Sequence, residues 1–173
     1  MSVYRTKFMP SLKIPIGKRS YNIDIKQAYY GGHVDVYRPQ ANKAYYYDIN
    51  SLYPKAKLND KPVGLPKKVL SEDINFFGFG NYNIICPDSL KIPFLPFRQI
   101  DGVTSKLVFP TGTWNGWYFS EEINYARKLG YKCEFQYGYL YERGTDKFKE
   151  YINKLYMLKV NAINDIQRIS AKL

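Results

Sequence analysis

The chain has 173 residues, enough for a domain with a real core, and its 26 Lys and Arg against 15 Asp and Glu give a net charge of +11. An aromatic fraction of 17% excludes a disordered chain, and no run of eighteen apolar residues exists to form a transmembrane helix. Cys86 and Cys133 lack metal-ligand spacing, which favours reduced thiols over a disulfide framework. Basic residues interleaved with Tyr and Phe suit a polyanionic partner held by phosphate neutralisation and base stacking. Codon drift in an AT-rich gene produces the same composition, so charge supports that class of partner without defining it.

Residues 1–20 are basic, are interrupted by Pro10 and Pro15, carry no apolar signal-peptide core, and read as an approach segment. Tyr29-Tyr30-Gly31-Gly32 predicts a turn with positive φ that lets backbone approach a phosphate, then a short strand through Val34 and Val36. Tyr45-Tyr46-Tyr47 predicts a strand ending at Asp48, where a carboxylate leaves a packed sheet for solvent, metal or phosphate. The polar turn Asn50-Ser51-Leu52 follows, and Pro54 suits the first turn of a short helix whose N–H groups can face an anion. Residues 60–110 are rich in Pro and Gly, with short strands predicted at 81–86 and 107–109. Asn115-Gly116 predicts a turn. Ser120 predicts a helix N-cap, Glu121 and Glu122 complement the helix dipole, and Gly130 marks the end.

From Lys132 to Glu142, the alternating Cys133, Phe135, Tyr137, Tyr139 and Tyr141 predict a strand with a single apolar-aromatic face turned to the core. Gly144-Thr145 then opens a helical tract predicted to run to Leu173, with Phe148, Ile152, Leu155, Ile166 and Ile169 at helical spacing. Arg168 and Lys172 lie four apart on that tract, where both can reach one anion.

The pattern Asp48-x-x-Ser51-Leu52-Tyr53-Pro54 resembles the metal-binding motif in the palm of family B DNA polymerases, and its wording is closest to the protein-primed branch of linear bacteriophages and organelle plasmids. Tyr29-x-Gly31-Gly32 resembles the element that joins exonuclease and palm in those enzymes and touches the template strand. The segment from Arg168 to Leu173 resembles the approach to their fingers motif Asn-Ser-Leu-Tyr-Gly, and Lys159 resembles an earlier basic contact.

The resemblance implies an α+β fold. It divides into a basic approach segment (1–20), a partial palm of antiparallel strands and helices (21–59), an inserted subdomain (60–144) and the start of the fingers helices (145–173). It implies template-directed nucleotidyl transfer, which uses paired divalent ions about 3.5–4 Å apart. Asp48 would be the catalytic carboxylate and, with the Ile49 carbonyl, would ligate Mg2+ or Mn2+ through hard oxygens. Ser51 and Leu52 would meet the triphosphate, Tyr53 would lie under the sugar and exclude a 2′-hydroxyl, and Lys159, Arg168 and Lys172 would bind the nucleotide. Tyr29, Gly31 and Gly32 would contact DNA.

The implied partners are DNA, deoxynucleoside triphosphates and a terminal priming protein, with no membrane. The implied setting is a mitochondrion or its plasmid, or alternatively a bacteriophage in bacterial cytoplasm. Neither Asn-Ser-Leu-Tyr-Gly nor an Asp-x-Asp pair occurs in the 173 residues. The expectation is therefore a polymerase fragment that is inactive alone. A non-catalytic module binding nucleic acid or terminal protein, and a decayed reading frame, are the other classes.

Overall fold

The computed structural model describes residues 6–7 and 18–171, with Ser170 placed by its backbone alone. In chain order the elements are α1 (Arg19–Gln27), α2 (Leu52–Lys57), β1 (Lys61–Val69), β2 (Gly78–Cys86), β3 (Phe97–Asp101), β4 (Thr104–Val108), β5 (Gly112–Phe119), α3 (Ser120–Lys128), β6 (Lys132–Gly144), α4 (Lys149–Val160) and α5 (Asp165–Ser170). The described residues form two compact units: 18–40 with 64–142, and 6–7 with 41–63 and 143–171. The approach segment predicted at 1–20 lies mostly outside the described residues, as does Lys172.

Alternation drives the first unit. Every second residue of β2 is buried, from Gly78 through Gly80, Tyr82 and Ile84 to Cys86, which is the signature of a strand with one face in a core. β2 pairs antiparallel with β5 on one side and β6 on the other, in a four-stranded sheet ordered β1-β6-β2-β5. A separate antiparallel hairpin joins β3 to β4, turning at Gly102 with φ of 58°. Tyr82, Ile84, Trp114 and Tyr118 from the sheet meet Ile123 and Ala126 of α3, with Leu95 and Tyr131 closing the cluster.

Tyrosine hydroxyls carry the polar side of this core. The Trp114 indole N–H donates to the Tyr118 hydroxyl at 2.7 Å, and that hydroxyl donates to the Pro96 carbonyl at 2.7 Å. The Tyr131 hydroxyl accepts the N–H groups of Phe94 and Leu95 at 2.7 and 3.3 Å. Tyr82 donates to Glu72 at 2.9 Å, and Glu72 also holds Arg127 at 2.6 Å. Among the described residues no buried side-chain nitrogen or oxygen lacks a partner, as a low-dielectric interior requires.

The strands at 81–86 and 107–109 and the helix after Ser120 occur where the sequence predicts them, while several finer expectations are corrected. Asn115-Gly116 is not a turn but the middle of β5. The Asn115 amide donates to Asn81 and Asn83 at 2.8 and 2.9 Å, and a Cβ on Gly116 would stand 2.8 Å from the Tyr118 hydroxyl. Ser120 does not cap α3. It is the first helical residue, and its buried Oγ accepts the Gly78 N–H at 3.2 Å. Glu122 reaches back to the Phe119 N–H at 3.3 Å instead.

The aromatic residues of β6 do not share one face. Tyr82 pairs with Phe135 whereas Asn81 pairs with Tyr137, so the register skips Gln136. Such a bulge reverses the side on which later residues point. Phe135 therefore packs edge-on to Tyr82, while Tyr137 and Tyr139 lie on the opposite face against Trp117. There the Tyr139 hydroxyl donates to Asp24 of α1 at 2.6 Å.

The helical tract predicted from Gly144 to Leu173 is two helices. β6 runs to Gly144, and α4 ends at Asn161. Asn164 caps α5 by accepting the Gln167 N–H at 2.9 Å, and the Gln167 side chain accepts the Ile163 N–H at 3.0 Å. Asparagine suits both a helix end and an N-cap, so the pair stops one helix and starts the next.

Burial raises the pKa values of Tyr82 and Tyr118 above the ordinary 10.0 and pushes Tyr131 up to about 12. A phenol whose folded pKa is raised contributes stability that is complete below the unfolded value and is lost as pH rises above it. The chain's unfolding free energy in urea should therefore decline above pH 10, by about 1.4 kcal/mol per pH unit for each such tyrosine. Tyr118→Phe should remove its share of that slope. At pH 8 it should destabilise by about 1–3 kcal/mol, because the Trp114 N–H and the Pro96 carbonyl lose their shared partner.

Candidate functional site

In the second unit the backbone from Tyr45 to Asp48 is neither helical nor paired as a strand. The predicted strand ending at Asp48 is thus corrected. A ladder needs a hydrogen-bonded neighbour, and the described residues provide none beside this segment. Its side chains are open to solvent, with Tyr46 94% exposed, and the rings of Tyr45 and Tyr47 stack at 6.3 Å.

The turn that follows is sharply defined. Ser51 takes the left-handed conformation, φ 59° and ψ 34°, which few residues other than glycine adopt. The Leu52 N–H returns to the Ile49 carbonyl at 3.3 Å, and the Ser51 carbonyl accepts the Lys55 N–H at 3.0 Å. α2 then starts at Leu52 with Pro54 in its first turn, where a missing N–H does no harm. The Lys61 ammonium donates to the Ala56 carbonyl near the helix end at 2.9 Å.

α4 brings its basic side chain to this turn. The Lys159 Nζ donates to the Ser51 Oγ at 3.3 Å. A cleft of about 540 Å³ is lined there by Asn50, Ser51, Tyr156, Lys159, Val160, Ala162 and Arg168. Arg168 reaches it because the chain breaks between α4 and α5. Of the residues expected to hold a nucleotide, Ser51, Lys159 and Arg168 come together. Leu52 and Tyr53 stand outside the cleft, Tyr53 79% exposed, and Asp48 and Ile49 are likewise exposed. Tyr156 is a lining residue that sequence reasoning did not single out, while Asn50 entered it only as part of the polar turn. Tyr156 precedes Lys159 by three, the spacing of neighbours on one helix face.

Asp48 and Ile49 fit a magnesium ion by chemistry and not by number. A carboxylate and a carbonyl are hard oxygens of the right kind, but no three His, Cys, Asp or Glu converge among the described residues. These residues alone do not form a metal site.

Tyr29-Tyr30-Gly31-Gly32 belongs to the first unit and follows α1. Gly31 and Gly32 have no left-handed φ, correcting the predicted turn, and a Cβ on Gly32 would meet nothing within 4 Å. What these glycines provide is exposed backbone open to approach. Val34 and Val36 form no strand; Asp35 instead accepts the Val36 N–H at 2.7 Å. Arg98 donates to the Tyr29 carbonyl at 2.8 Å and lies over the Tyr30 ring, which stacks on Tyr118. A cleft of about 430 Å³ opens beside them, with His33 stacked on Phe109 at 3.7 Å and Glu122 in its wall. Burial raises the Glu122 carboxyl above the usual carboxylate range.

A family model described as DNA polymerase type B, organellar and viral, matches residues 1–173. A probable DNA polymerase of Ascobolus immersus is 40% identical over 164 residues, covering 91% of this chain and 14% of the relative. One of Neurospora intermedia is 40% identical over 173 residues, covering 93% and 18%. One of Podospora anserina is 34% identical over 170 residues, covering 94% and 14%. The chain therefore spans less than a fifth of the length of these relatives.

Among solved structures, Phi29 DNA polymerase in an orthorhombic crystal form superposes with a TM-score of 0.71 at 17% identity, over 91% of this chain and 30% of that one. The same enzyme complexed with primer-template DNA and incoming nucleotide gives 0.66 at 18% identity. Both likenesses are of fold, mixed α and β with an antiparallel sheet. Because the family model spans every residue and two relatives are 40% identical, the chain belongs to the type B DNA polymerases of organelles and viruses.

Proposed function

We propose that the chain is a segment of a protein-primed DNA polymerase that binds the incoming nucleotide: residues 21–59 within the palm, 60–144 the insertion that follows it, and 145–173 the start of the fingers. The parent reaction joins deoxynucleotides to a 3′-hydroxyl under template direction, with loss of pyrophosphate. The observation that carries this reading is the cleft where Lys159, Arg168 and Ser51 meet. Two cations and a hydroxyl lining one cleft suit a triphosphate, and the planar Arg168 fork can grip two phosphate oxygens at once.

Asp48 gives one carboxylate to a metal site completed by other parts of the polymerase, and Tyr53, standing free at the start of α2, is placed to meet the sugar. Tyr29, Gly31 and Gly32 form a DNA contact, supported by their open backbone. The fungal relatives support a mitochondrial or mitochondrial-plasmid setting. DNA and a terminal priming protein are the partners.

Two outcomes are expected. In a polymerase that includes this segment, Arg168→Ala should raise the KM for deoxynucleotides at least about tenfold with a smaller effect on kcat, the pattern of lost ground-state binding. Steady-state single-nucleotide incorporation measures both, and an unchanged KM would remove Arg168 from the site. The 173-residue chain alone should incorporate nothing on a primed template with magnesium or manganese, since one carboxylate cannot hold two ions in transfer geometry. Incorporation that Asp48→Asn abolishes would contradict this.

A further inference from the structure

We infer that Ser51 is a positioning residue for Lys159: its hydroxyl holds the ammonium on the wall of the cleft before a nucleotide arrives. The inference rests on the reading of that cleft as a nucleotide site, and it assigns Ser51 a role other than phosphate contact.

Three observations converge on it. The Ser51 Oγ accepts a hydrogen bond from the Lys159 Nζ at 3.3 Å, bridging residues 108 positions apart. Ser51 is fixed by its left-handed backbone and by the Lys55 N–H on its carbonyl, so the acceptor does not wander. Lys159 and Arg168 line the same cleft, so an ammonium held at Ser51 shares that space with a guanidinium.

The physical consequence follows from lysine's flexibility. A four-carbon stem carries substantial rotamer entropy, and binding that must also order the side chain is weaker. A neutral hydroxyl restrains the ammonium without neutralising it, where a carboxylate at position 51 would compete with the phosphates. The single bond is weak enough for the ammonium to turn to a phosphate oxygen when one is offered.

Glycine separates the hydroxyl from the backbone, because Ser51→Gly removes Oγ while adopting the left-handed conformation without strain. In a polymerase containing this segment, Ser51→Gly should raise the KM for deoxynucleotides about five- to tenfold with kcat little changed, the size of effect one solvent-accessible hydrogen bond provides. Ser51→Asn keeps an acceptor and tolerates this backbone, and should restore KM to within about twofold.

Lys159→Met should raise KM further, and Ser51→Gly added to it should change KM by less than about twofold, since the two side chains act as one unit. If Ser51→Gly raises KM equally with Lys159 or Met at position 159, Ser51 meets the nucleotide directly and the inference fails while the site stands. If Lys159→Met raises KM but Ser51→Gly leaves it unchanged, the inference also fails. If neither substitution changes KM, the nucleotide site itself is misplaced.

Discussion

The left-handed turn at Ser51 is the constraint on which the candidate site depends. A residue with a side chain gives up about 1–2 kcal/mol to sit there, so the surrounding contacts must hold it in place. They do so on three sides. The carbonyl of Ser51 starts α2, the Leu52 N–H closes the turn on Ile49, and Lys159 of α4 is bonded to the hydroxyl. Relaxing the turn to an ordinary conformation would swing α2 and break the link to α4. The serine links the start of α2 to α4 at the edge of the cleft.

The first unit is held by different means. Its core is aromatic, and the geometry of large rings is set by phenol hydroxyls bonded to backbone carbonyls and N–H groups. Tyr118 links Trp114 to the chain at Pro96, and Tyr131 links the segment at Phe94 and Leu95. Through Tyr118 of β5 and Tyr131 just before β6, residues 94–96 are held beside the sheet without secondary structure of their own. Close backbone approach adds to this: a Cβ on Gly138 would stand 2.6 Å from the Phe79 carbonyl oxygen, where β2 and β6 pair.

What was legible in the sequence divides along physical lines. Ser51, Lys159 and Arg168 could be chosen because motif chemistry names residue types directly, but helix spacing did not bring Lys159 and Arg168 together; the break between α4 and α5 did. β2, α3 and the extent of β6 followed from alternation and from Gly130, which takes φ of 94° after α3. Alternation could not disclose the bulge at Gln136, since a skipped register leaves the sequence pattern intact while moving Tyr137 and Tyr139 to the other face. Asn115-Gly116 reads as a turn by local propensity, but pairing with Asn81 and Tyr82 overrides that preference. The strand at Tyr45–Tyr47 failed for want of a neighbour. The helix break was readable after all, because Asn164 and Gln167 stand at capping distance and Asn161 precedes them.

Asp48 lies exposed three residues before Ser51, whose hydroxyl is bonded to Lys159 of α4. The account is tested most directly by a nucleotide-bound structure of a polymerase that includes this segment. It requires phosphate oxygens at about 2.7–3.2 Å from the Lys159 ammonium and the Arg168 guanidinium, with the Tyr53 ring against the sugar. A nucleotide seated away from both cations would contradict it.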